Sequence, residues 1–158
     1  MCKLLRNLRL VLVSTLFVPA WAAVPAPGSV YPDAHVMEIA HKLETKLKEG
    51  AEPSGMLEEK LNDSTLVAVR TKSGHAEFHL NAADVFFVLS GEATLISGGN
   101  IVNPQGSVEI RGDSISGGTS AVMHKGDMVY VPPATPHQVE IESGGAFLYV
   151  VVKIPRKD

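Results

Sequence analysis

Between Val36 and Leu47 apolar residues return every three or four positions, at Val36, Ala40, Leu43 and Leu47. Glu38 and Lys42, and Glu44 and Lys48, lie four apart between them. This period predicts one amphipathic helix over 36–49, stopped by Gly50. After "AEPSG" the period falls towards two. "STLVAVRT", "AEFHL", "DVFFVLS", "EATLIS", "SVEIR", "DMVYVP", "HQVEIE" and "AFLYVVVK" are rich in Val, Ile, Phe and Tyr and are bounded by Gly, Asn, Pro or Ser. Such runs predict short strands. Many of them at close spacing point to an all-β sandwich or barrel over about 57–154, not to alternating β-α units. "SGGN" and "SGG" read as turns, and "NPQGSVEIRGDSISGG" between them as an extended hairpin or loop excursion covering a barrel mouth.

The first residues follow another rule. Residues 1–22 carry Lys3, Arg6 and Arg9, then the apolar run Leu10 to Val18, then Ala20-Trp21-Ala22, the three parts of a secretory signal. The run is short for a membrane span. A cut before Ala23, or next before Val24, sends the product to the periplasm or outside the cell. It leaves residues 23–35 as a loosely ordered, Pro-rich lead-in and 36–158 as a single domain. The cut also removes three of the 14 Lys and Arg, so 11 face 17 Asp and Glu, a net charge of −6 with neutral histidines. No nucleic-acid footprint is expected, nor stable membrane insertion once the signal is gone. Cys2, the only cysteine, leaves with the signal, which excludes an internal disulfide.

In "GHAEFHL" strand alternation puts Glu77 and His79 on one side and Phe78 on the other. An acid and an imidazole sharing a face turn either to water or to a common partner. His75 shares the alternation, but Gly74 beside it suggests a strand just beginning, so a rim position is expected. His35 and His41 belong to the helix, and His124, before Gly126, to a solvated turn. Glu92 and Glu109 are expected to face outward, and Tyr130 to be a structural tyrosine or to present its hydroxyl near a cavity.

The stretch Asp84-Val-Phe-Phe-Val-Leu-Ser-Gly91-Glu-Ala-Thr is followed by Gly126-Asp-Met-Val-Tyr-Val-Pro132-Pro-Ala134-Thr-Pro-His137. Together they resemble the two motifs of the cupin superfamily, over roughly Leu66 to Lys153. The resemblance implies an all-β, cupin-like jelly-roll β-barrel preceded by the helix. It places His79 on the second histidine of the first motif, Asp84 on its acid, Gly91 on its later glycine and His137 on the histidine of the second motif. Three positions depart. Glu77 stands where the first histidine would be, Ala134 replaces the glycine before His137, and Ile141 occupies the asparagine position.

On that resemblance the metal ligands are Glu77, His79 and His137. Asp84 adds a fourth oxygen or holds an imidazole from behind. Two imidazoles and a carboxylate suit an open iron(II) site and tolerate manganese, nickel or zinc, so the expected cofactor is a divalent metal ion, Fe, Mn, Ni or Zn. The alternative is a hydrogen-bonded polar cluster with no ion. With a metal, the expectation is a small-molecule ligand or substrate and an oxygenase- or isomerase-like enzyme. The alternative function is a non-catalytic small-molecule or metal binder. A homodimer is expected, through an aggregation-prone edge such as "FLYVVVK", unless the helix or lead-in covers that edge.

Overall fold

A computed structural model of the chain describes residues 28–142 and 144–156. The signal expected over residues 1–22 lies outside them. Tyr31–Asp158 form one unit. It begins with helix α1, Asp33–Lys48, three residues ahead of the expected start. Pro32 precedes the first turn, where a ring without an N–H costs no helical bond, and Asp33 complements the positive helix end. The chain turns off at Gly50, whose φ of 79° suits glycine.

Twelve strands follow. β1 is Met56–Lys60, β2 Thr65–Arg70, β3 Ala76–His79, β4 Ala82–Ser90, β5 Glu92–Ser97 and β6 Asn100–Val102. β7 is Glu109–Gly112, β8 Ser114–Ser116, β9 Thr119–His124, β10 Met128–Val131, β11 His137–Glu140 and β12 Phe147–Pro155. One antiparallel sheet runs β1-β2-β12-β4-β10, and a second runs β7-β3-β11-β5-β9. β6 and β8 form a separate ribbon. This is the jelly roll expected, with one difference: the two sheets are not closed into a barrel.

The main core lies between the sheets, where Phe86, Met123, Val139, Phe147, Tyr149 and Val151 interdigitate. A second core forms on the outer face of the first sheet, where Val36, Ile39, Leu43 and Leu47 of α1 cover Val67, Val69 and Leu148. Strands β2 and β12 are thus buried on both faces, which is why "LVAV" and "FLYVVV" read as unbroken apolar runs. β12 pairs with β2 on one side and β4 on the other, so it is not the exposed edge anticipated from its composition. The edges of this sheet are β1 and β10.

The 103–118 excursion is not a free loop. Its β7 adds to β3 in the second sheet, and its β8 pairs with β6. Four strands, β1, β6, β8 and β9, lie outside the eight expected. β9 shows why: along Thr119–His124 only Met123 is buried, so no alternation is visible in the letters.

Candidate functional site

Four strands from both sheets build the site. In β3, Glu77 and His79 do share a face, with Ala76 buried on the other. His137 opens β11 directly opposite Glu77, and also pairs with Ser97 of β5. From the facing sheet come Asp84 of β4 and its cross-strand partner Lys153 of β12. Lys153 lies on the inner alternation of Phe147, Tyr149 and Val151. β7 completes the arrangement, with Glu109 opposite His79 and Arg111 opposite Glu77.

Two second contacts fix the imidazoles. His137 Nδ1 donates to the Thr135 carbonyl at 3.0 Å, and His79 Nδ1 bonds the Glu109 carboxylate. A neutral ring that donates from Nδ1 presents its lone pair at Nε2. His137 Nε2 is buried and makes no hydrogen bond. One ligand atom each from Glu77, His79 and His137 lies within 4.8 Å of the others, a possible metal site. The histidines are buried and Glu77 is half-buried. An orphaned buried nitrogen aimed at a second imidazole and a carboxylate fits a cation better than it fits a dry polar cluster.

Asp84 stands differently. It is 3% exposed and accepts from Lys153 Nζ through both oxygens at 3.0 Å. Its Oδ2 lies 3.3 Å from His79 Nε2 and 3.5 Å from His137 Nε2. Burial alone would raise this carboxyl, yet the neighbouring His137, His79 and Lys153 outweigh burial and hold it well below the ordinary carboxylate range. Asp84 in turn raises His79 above the usual histidine value, against burial and Lys153, which lower it. Lys153 Nζ also lies 3.1 Å from His79 Nε2, the atom a metal would take.

The remaining candidates separate clearly. Glu109 was expected to face outward; its residue is largely exposed, but its carboxylate reaches His79 because β7 pairs with β3 and sets Glu109 directly opposite His79. Glu92 and His124 do face solvent, 3.2 Å apart. His75 is exposed at the rim of a cavity of about 540 Å³ that also holds Glu77, His79, Asp84 and His137. Tyr130 does not reach it, being 57% exposed on the outer face. Ala134, in the glycine position, takes a φ of 58° and donates its N–H to the His79 carbonyl at 2.8 Å. Gly91 has a φ of 83°, and a Cβ there would strike the Ala146 carbonyl. Sequence reasoning missed Lys153, and also Arg70 and Tyr149, which line the same cavity. The signal was available, since each shares the inward alternation of its strand.

No family profile and no curated protein matches the chain. Solved structures do. TT1209 from Thermus thermophilus is 20% identical over 67% of this chain and 89% of its own, with a TM-score of 0.48. A recombinant oxalate oxidase in complex with glycolate is 14% identical over 68% and 54%, with a TM-score of 0.48. A sugar phosphate isomerase from a cupin superfamily, from Silicibacter pomeroyi, is 15% identical over 65% and 60%, with a TM-score of 0.47. The chain thus spans little more than half of the last two. These are likenesses of fold, and fold does not fix activity.

Proposed function

We propose that this cupin-fold chain binds one divalent metal ion through Glu77, His79 and His137 and acts on a small organic molecule in the adjoining cavity. The buried His137 Nε2, without a hydrogen bond and facing the other two ligand atoms, carries this reading. A bound ion with open positions would supply Lewis acidity or oxygen activation, which is oxygenase- or isomerase-type chemistry. The chain's own groups do the rest. Glu109 and the Thr135 carbonyl hold the two rings in the tautomer that presents Nε2. Asp84 holds Lys153, whose side chain is 40% exposed. Asp84 is therefore a positioning residue in this proposal, and a fourth ligand only if Lys153 leaves it.

Elemental analysis of protein purified without chelators or a metal column tests the claim. The parent should carry about one equivalent of metal, and His79→Ala and His137→Ala little. Equal metal in all three would reject the site. The second reading, a binder without turnover, predicts the same metal content. It differs in leaving oxygen consumption and product formation at background across a substrate panel.

Export belongs to the same proposal, supported by the charged, apolar and small-residue order of residues 1–22. So does pairing of two copies. β10 is an edge strand, and Met128 and Tyr130 on it stand 66% and 57% exposed beside Phe87 of β4. No helix among the described residues is long and apolar enough to cross a membrane.

A further inference from the structure

Three cations line the cavity, and two have carboxylate partners. Lys153 is bonded to Asp84, and Arg111 lies 3.4 Å from Glu77. The third is Arg70, the last residue of β2 and only 8% exposed. Among the described residues no carboxylate lies within 4.0 Å of it. Its Nε donates to the Tyr149 hydroxyl at 3.0 Å. A buried guanidinium normally ends on an anion, because five donors and a full charge are costly to strip of water. Here it lies against Gly74, where a Cβ would collide with it, and it borders open cavity. The site is built: a fixed fork, a hydroxyl that orients it, and a glycine that makes room.

Apolar side chains line part of the cavity between this fork and the proposed metal ligands. The Phe86 ring lies 5.6 Å from the Tyr149 ring and 6.4 Å from that of His137, and Leu66, Val139 and Val151 line the same space. Glu52, Glu58, Glu77 and Glu109 also border the cavity, which disfavours a dianion such as phosphate. A planar monoanion matches a single guanidinium fork.

We propose that Arg70, oriented by Tyr149, anchors the carboxylate of a small organic monoacid whose apolar body crosses Phe86 and whose far end points towards Glu77, His79 and His137. The direction of the far end rests on the metal reading above; the anchor does not. Binding is measured by ligand-observed NMR on chelator-stripped protein, with benzoate, phenylacetate and hexanoate, each against its uncharged amide. Acids should bind with Kd near about 1 mM and amides at least about tenfold more weakly. Arg70→Met should remove that preference by about tenfold or more, and Tyr149→Phe should weaken acid binding about threefold while keeping the core ring.

The proposal is overturned if no acid binds, if acids and amides bind alike, or if Tyr149→Phe and a folded Arg70→Met both retain parental affinity. Acid binding present in metal-loaded protein and absent from the stripped protein would place the carboxylate on the metal instead, sparing the metal reading and sinking the anchor. Arg70-dependent binding in a protein that takes up no metal would do the reverse.

Discussion

Lys153 places its ammonium where a second cation would have to come, 3.1 Å from His79 Nε2 and bonded to both Asp84 oxygens. Two positive charges at such range repel by about 1 kcal/mol even in full water screening, and by more in a half-buried site. Lys153→Met should therefore tighten metal binding by at least about fivefold in calorimetric titration, while lowering the melting temperature of the metal-free protein because Asp84 loses its partner. Unchanged affinity would show that the ammonium and the ion do not compete. The Asp84 carboxyl carries a pH signature with a definite sign. Its folded value is depressed, so the stability it contributes is complete above the unfolded carboxylate value of about 3.9 and is lost as pH falls below that. In metal-free protein the melting-temperature gap between the parent and Asp84→Asn should stay level from about pH 5 to 7 and narrow on acidification below about 4. A gap that widens in acid would contradict the assignment.

At the scale of elements the decisive strand is β7, which carries Glu109 and Arg111 to the edge of the second sheet. If that pairing orients His79, Glu109→Ala should weaken metal binding by about ten- to a hundredfold with little change in melting temperature, the usual effect of losing a carboxylate behind a ligating imidazole. Affinity within twofold of the parent would make Glu109 a bystander. Its role was hidden because the strand "SVEIR" is legible from its own pattern while its pairing with β3, about thirty residues earlier, is not. The pair Glu77 and His79 was legible because alternation is set by backbone geometry alone. The helix was legible from its stripe. Where both faces of a strand are covered, as in β12, the letters show burial but not which neighbours provide it, and the strand was mistaken for an edge. Ala134 shows the limit of motif reading: the backbone keeps the left-handed φ of 58° that glycine would hold without strain, so the departure changes strain and not path.

In the whole molecule the two sheets divide the work. The second contributes Glu77, His79 and His137, and the first contributes Asp84, Lys153, Arg70 and Tyr149, with the cavity between them. The helix closes half of the outer face of the first sheet and leaves Phe87, Met128 and Tyr130 exposed near the β10 edge. If two copies pair there, Met128→Lys combined with Tyr130→Glu should halve the mass measured by light scattering without altering metal content; a parent already monomeric at high concentration would remove the pairing. The central claim concerns three side chains meeting on one ion. X-ray absorption at the metal edge of the loaded parent examines it most directly. The account predicts two imidazole nitrogens and a carboxylate oxygen at about 2.0 to 2.2 Å. A spectrum without imidazole scattering, or one fitted by a single imidazole, would contradict it.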